Sequence, residues 1–87
     1  MEPTLEIGND GTKRWYIDGK LHREDGPAVE YENGIVWWYL NNKLHREFGP
    51  AVEHSDGTKR WYLNDKKYSE QEYKIEMRKI ILKRMGL

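Results

Sequence analysis

The 87-residue chain has no cysteine, which excludes disulfides, thiolate nucleophiles, cysteine-ligated zinc and iron–sulfur clusters together. It has no surplus of either charge, since 15 Lys and Arg balance 15 Asp and Glu. Attachment to nucleic acid mainly by counterion release wants a basic excess, and an acidic mimic of DNA wants the opposite. Long apolar runs are also missing. The longest, Ile35-Val36-Trp37-Trp38-Tyr39-Leu40, is too short to span a bilayer. Met1-Glu2-Pro3-Thr4 lacks the basic and apolar regions of a signal peptide, so a cytoplasmic protein without a membrane partner is expected. There is no phosphate-binding loop, nucleophile elbow or Ser/His/Asp arrangement. The carboxylates form no pair isolated in apolar surroundings. His22, His45 and His54 match no zinc or iron spacing. The expectation is therefore a protein that is not an enzyme and holds no cofactor and no metal, with histidines that bond across hairpins.

Apolar content is low at 37%, charge is high at 34% and mean hydropathy is −1.03, values that alone would suit a disordered chain. The aromatics oppose that reading. Four Trp, six Tyr and one Phe bury large areas per residue, enough for one small domain with a thin core made of rings.

A repeat organises the chain. Gly11-Thr12-Lys13-Arg14-Trp15-Tyr16 through Lys20-Leu21-His22-Arg23-Glu24 and Gly26-Pro27-Ala28-Val29-Glu30 returns 23 residues later, matching at 13 of 23 positions without a gap. It opens again as Gly57-Thr58-Lys59-Arg60-Trp61-Tyr62 and is cut short. The divisions are 1–10 (a degenerate first strand), 11–33, 34–56, a truncated 57–68, and 69–86. Units of such an array stack because none buries its own apolar face. Asp18-Gly19, Asn33-Gly34, Asn41-Asn42, Asp56-Gly57 and Asn64-Asp65 are pairs suited to tight primed turns between short strands. Proline has no N–H to donate, so the return strand should bend at Gly26-Pro27 and Gly49-Pro50, one half pairing backward and the other with the next unit. The expected fold is mainly β with one C-terminal helix: an antiparallel meander of 23-residue hairpin repeats. The register of Leu5-Glu6-Ile7 stays open.

After Tyr68 the pattern changes. Ser69-Glu70-Gln71-Glu72 is a capping box, acids lead, bases follow as the helix dipole prefers, and Gly86 suits a left-handed C-terminal cap. These signals predict an amphipathic capping helix from about Glu70 to Met85. Tyr73, Met77, Ile80, Ile81 and Met85 fall within about 140° of its wheel. Ile75 and Leu82 lie opposite, a second apolar pair that offers a homodimer or partner contact, or two singly exposed aliphatics.

The units resemble MORN-type repeats in the variant form common in bacteriophage and giant-virus proteins. Trp15-Tyr16, Gly19-Lys20-Leu21-His22-Arg23 and Gly26-Pro27-Ala28 carry the likeness, with Trp38-Tyr39, Lys43-Leu44-His45-Arg46 and Gly49-Pro50-Ala51. Tyr68-Ser69-Glu70-Gln71-Glu72-Tyr73 looks like the terminal helix that closes such phage proteins. Asn42 and Asp65 depart from the pattern where the turn glycine would sit, as does Lys67-Tyr68 in place of Leu-His. The resemblance implies a rigid binding surface without catalytic machinery, in a class whose small members often act on host proteins, including defence nucleases such as CRISPR-type ones.

Strand alternation separates two faces. Lys13, Trp15, Ile17, Val36, Trp38, Leu40, Lys59, Trp61 and Leu63 share one, where the recurring tryptophans suggest a core ladder of indoles. The other carries Thr12, Arg14, Tyr16, Ile35, Trp37, Tyr39, Thr58, Arg60 and Tyr62. Here Trp37 replaces the arginine of both flanking units, and Ile35 replaces a threonine. An aromatic centre ringed by arginines has the composition of a protein-binding hot spot, unless the helix covers it. The candidate site is thus Arg14, Ile35, Trp37, Tyr39 and Arg60, with Ile75 and Leu82 on the helix, and the expected partner is a host protein. Binding of single-stranded nucleic acid, with Trp and Tyr stacking on bases and Lys13, Arg14, Lys59, Arg60 and helix bases on phosphates, is the alternative. Residues 70 to 85 hold five bases against three acids, so the helix is only mildly basic. Recognition of cell-wall glycans would need export.

Overall fold

The computed structural model describes residues 2–87. Ten short strands precede one helix: β1 Thr4–Ile7, β2 Lys13–Ile17, β3 Lys20–Leu21, β4 Val29–Glu30, β5 Val36–Trp37, β6 Tyr39–Leu40, β7 Lys43–Leu44, β8 Val52–Glu53, β9 Lys59–Leu63, β10 Lys66–Tyr68 and α1 Glu70–Arg84. The fold is antiparallel β closed by a single C-terminal helix. The main sheet runs β1-β2-β4-β5-β8-β9-β10, with β3 paired to β2, while β6 and β7 form a hairpin of their own. The Cα trace measures 47 × 33 × 17 Å with a radius of gyration of 13.9 Å, against about 12 Å for a compact domain of this length. The molecule is a slab, as an array of stacked hairpins should be.

The return strand does bend at each Gly-Pro, but its second half is shared more widely than expected. β4 pairs with the following β5 and also backward with β2, through Lys13↔Glu30 and Arg14↔Val29. The first half of β2 therefore faces β4, and its second half faces β3. The open register of the first strand is settled in the same terms. Glu6↔Arg14 and Ile7↔Lys13 lie one period before Val29↔Trp37 and Glu30↔Val36. β1 takes the place of a unit's closing strand, in register but with its polar and apolar positions exchanged.

Two kinds of turn alternate. Asp18-Gly19, Asn41-Asn42 and Asn64-Asp65 have positive φ at both residues, as primed turns require. Asn33-Gly34 and Asp56-Gly57 do not follow that expectation, because only the glycine is left-handed. There Asn33 and Asp56 accept the N–H two residues on, from Ile35 and Thr58, at 3.1 and 2.9 Å. A side chain that caps its own turn in this way holds its residue out of the left-handed region.

Asn42 and Asp65 explain themselves once the hairpin tips are seen to stack. Asn42 Oδ1 accepts from Leu21 N at 2.7 Å, and Asp65 Oδ1 accepts from Leu44 N at 2.6 Å. Each turn also donates back to the same leucine carbonyl. His22 Nδ1 and His45 Nδ1 accept from Asn41 N and Asn64 N at 3.1 and 3.0 Å. Gly19 opens the series and has no earlier tip to meet: a Cβ there would touch nothing within 4 Å.

The indoles form a lidded row in place of a closed core. Trp15, Trp38 and Trp61 are half-buried. The Arg23 guanidinium lies 4.0 Å over the Trp15 ring and Arg46 lies 3.9 Å over Trp38. Each Arg Nη1 also donates to the proline carbonyl four residues on and to Glu30 or Glu53 at about 3 Å. The guanidinium passes directly above the glycine, where a Cβ on Gly26 or Gly49 would fall 2.7 or 2.6 Å from its carbon. In the last unit the helix supplies the lid. Tyr73 packs against Trp61 at 4.9 Å between ring centroids, its hydroxyl donates to the Arg46 carbonyl and it accepts from Gly49 N. Leu63, Tyr73 and Met77 form the buried cluster, with Trp61, Tyr68, Ile80 and Ile81 against it.

The capping box is present, Ser69 Oγ accepting from Glu72 N and Glu72 accepting from Ser69 N. Met85 is the C-cap and, contrary to the wheel reading, stands 66% exposed, because the packed stripe of α1 ends at Ile81. Hydrogen bonding from backbone N–H groups lowers the pKa of Asp10, Asp56 and Glu72, and the Arg84 guanidinium lowers that of Glu47. A folded-state pKa below the unfolded one adds stability at neutral pH that is lost as pH falls through the folded value.

Two outcomes follow for stability. Asn42→Gly should lower unfolding free energy by up to about 1 kcal/mol, since Leu21 N–H loses its side-chain acceptor at an exposed tip, while Gly19→Asn, at a φ of 75° that asparagine tolerates better than other side chains, should cost less; urea titration distinguishes them. Melting temperature should decline as pH is lowered through and below about 4, followed by circular dichroism.

Candidate functional site

Cross-strand pairing places a single row across five strands: Arg14↔Val29↔Trp37↔Val52↔Arg60. Antiparallel partners share a face, so Trp37 sits at the centre with an arginine at each end. Val29 and Val52, both 3% exposed, wall the indole on either side. Tyr31 meets the Trp37 ring edge-on at 6.1 Å, and Tyr39 stacks on it at 6.1 Å. Burial raises the Tyr39 pKa, with Tyr31, Asp65 and Tyr62 adding to the effect. Ile35 lies two residues before Trp37 on the same side and is partly exposed. Five of the sequence-derived residues, Arg14, Ile35, Trp37, Tyr39 and Arg60, are thus brought together.

The helix does not cover them. α1 packs on Trp61, Leu63 and Tyr68, which belong to the opposite face. The covering alternative raised for the Trp37 patch is therefore excluded by position. The two arginine lids lie on that opposite face too, so helix and lids close the same side of the sheet, while Val29 and Val52 are buried within the Trp37 row on the other. Ile75 and Leu82 are 51% and 41% exposed and belong to neither face. Ile75 borders β10, in a depression with Lys66, Lys67 and Tyr68, and is separate from the Trp37 patch.

Trp37 itself is more anchored than a free surface ring. Its Nε1 is buried and has no hydrogen-bond partner, an arrangement that costs free energy. Substituting it would disturb packing as well as any contact, so Arg60 and Ile35 at the margin are better probes of binding.

Sequence reading missed Phe48. It is 72% exposed and holds φ at 68°, a backbone region where a bulky side chain is a genuine outlier. Unit one has Asp25 at the equivalent place, without positive φ. The difference is imposed by the helix. Arg84 donates to both carboxylate oxygens of Glu47 at 2.7 and 2.6 Å, His45 Nε2 lies 3.3 Å from the same carboxylate, and the Tyr73 hydroxyl holds Arg46 and Gly49. The loop is gripped on both sides of Phe48, which projects beside a shallow depression of about 310 Å³ lined by Trp38, Leu40, His45 and Arg46. The one signal for it in the sequence was the replacement of an acid by an aromatic at a matched repeat position.

Among the described residues, no group of three His, Asp or Glu side chains is placed to hold a metal ion. Among the same residues, no helix is long and apolar enough to cross a membrane.

Phe48→Gly should raise unfolding free energy by about 1 kcal/mol, through relief of the left-handed backbone. Trp37→Phe should cost no more than about 1 kcal/mol, because removing the orphaned N–H offsets part of the packing lost with the smaller ring. Chemical denaturation of the two variants beside the wild type checks both. Comparison with protein-family models, with curated proteins and with solved structures returns no match for this chain.

Proposed function

We propose that the chain is a non-enzymatic protein-binding module that docks through the Trp37 face. On this reading it is a small phage accessory protein of MORN-like repeat type. It works in the host cytoplasm and inhibits a host protein, such as a CRISPR-type or other defence nuclease. The observation that supports the docking face is that lids and helix close the same side of the sheet. Arginine lids and helix occupy the Trp15 side, leaving Tyr31, Ile35, Trp37 and Tyr39 with Arg14 and Arg60 at the ends of their row. Buried aromatics with flanking arginines are the groups that dominate protein–protein binding energy. The phage and nuclease parts rest on the resemblance of the repeats alone.

The single-stranded nucleic-acid reading fares less well on charge placement. Lys13 and Lys59 pair across strands with Glu30 and Glu53, on the face opposite Arg14 and Arg60. The bases are divided between two sides and partly neutralised, so no continuous basic groove accompanies the rings.

A pull-down from bacterial lysate with nuclease added, wild type beside Arg60→Glu and Ile35→Ser, tests the choice. A protein retained stoichiometrically by the wild type, insensitive to nuclease and moderate salt, and lost with either variant is the expected result. Retention that nuclease erases, or that falls steeply with salt, would move the assignment to nucleic acid. Folding of each variant is verified by its melting curve.

A further inference from the structure

We propose that β1 is the seam of a symmetric homodimer, in which the β1 strands of two copies pair antiparallel with Leu5 opposite Leu5 of the second copy. The phase of the β1–β2 ladder decides which backbone groups of β1 face outward. Gly8 N donates to Thr12 O at 2.9 Å, and that pair continues the register Thr4↔Tyr16 through Ile7↔Lys13. Hydrogen-bonded pairs alternate in an antiparallel ladder, so Thr4, Glu6 and Gly8 turn their backbone groups toward β2. Leu5 and Ile7 turn theirs outward, to the open edge of the sheet. All four residues of β1 are exposed, with Leu5 at 44% and Ile7 at 60%.

Exposed edges are ordinarily protected by lysine, proline, a bulge or a covering element. The far edge follows that rule: β10 carries Lys66 and Lys67 and leads into α1, which packs against it. β1 is less protected. It has neither lysine nor proline between Thr4 and Ile7, its charge is limited to Glu6, Pro3 stands before it, and among the described residues no element covers it.

The edge selects one self-complementary register. With Leu5 opposite Leu5, the two Leu5 N–H groups donate reciprocally to the two Leu5 carbonyls. Each Ile7 N–H meets the carbonyl of Pro3, which has no N–H of its own to leave unpaired. Thr4 then faces Glu6 of the second copy. Sliding two residues one way sets Glu6 against Glu6, a like-charge pair that opposes association. Sliding two residues the other way sets Pro3 against Leu5 and loses one bond of each central pair. A one-residue slip brings outward groups against inward ones. Leu5 and Ile7 lie on the Trp15 face, since Leu5 pairs with Trp15, so an apolar strip would continue across the seam. The symmetry axis stands perpendicular to the sheet, an isologous arrangement. It would put two Trp37 patches on the same side, about 34 Å apart at seven strand spacings. The inference is independent of what binds those patches.

Sedimentation equilibrium of the full chain from about 1 µM to about 1 mM is the test. Wild type should pass from monomer to dimer within that range. Leu5→Pro removes an outward N–H that β2 does not use, so it should stay monomeric with an unchanged melting curve. Thr4→Lys, facing Glu6 of the second copy, should tighten the dimer about threefold to tenfold, and Thr4→Glu should weaken it as much. Should Leu5→Pro fail to fold, the two Thr4 variants at an exposed position carry the test. A wild type monomeric at the highest concentration overturns the proposal. So does a dimer that ignores the Thr4 substitutions, or one abolished by Ile75→Glu with Leu82→Glu, which would place the seam on α1.

Discussion

The guanidinium over the indole is the contact on which the repeat is built. Arg23 and Arg46 each lie on a tryptophan, reach a carbonyl four residues ahead and pair with a glutamate on the returning strand. One side chain thereby fixes the distance between the outgoing strand, the Gly-Pro bend and the return. A cation held over a ring while satisfied on its edges is worth more than either contact alone. The motif follows from this clamp: glycine because nothing else fits beneath the guanidinium, proline because its carbonyl is an acceptor at a bend, alanine because the backbone there is fully enclosed. A chain with little apolar residue content is stabilised in this way by charged side chains that cover rings with their planar groups.

The helix ends the array by imitating that clamp. Ser69 stands where a third arginine would fall in the 23-residue period, and Tyr73 takes over the Trp61 ring. Its hydroxyl also reaches backbone groups of the preceding loop, so the last unit is tied to the middle one. A side effect is the left-handed Phe48, held by bonds on both sides of it. Because lids, helix and this loop all lie to one side, the opposite face is left to Trp37 and its neighbours.

Much of this was legible in the sequence, and the reasons differ by element. The period, the strand alternation and the capping box are local patterns, and each fixed its own element. The grouping of Arg14, Ile35, Trp37, Tyr39 and Arg60 followed from alternation plus period. Turn types at Asn33-Gly34 and Asp56-Gly57 were misjudged because a dipeptide does not reveal whether its Asx side chain caps the next amide. The side taken by α1 depended on Tyr73 meeting Trp61, a contact between elements that no local pattern encodes. Phe48 was invisible for the same reason, its backbone being set by Arg84, 36 residues along the chain. Met85 satisfied the helical wheel but lies past the end of the helix's packed stripe.

The hairpin-tip locks join each unit only to its neighbour, and the helix grips only the last two. Opening free energy in such an array is a sum of nearest-neighbour terms, so it is distributed unevenly along the slab. The first unit, whose glycine tip makes no tip lock with an earlier hairpin and which the helix does not reach, belongs to the less protected end. Transient fraying there would carry Arg14 away from Trp37 while Arg60 stays in place. A ligand spanning the whole row would therefore have to order that end, and part of its binding energy would go into conformational entropy.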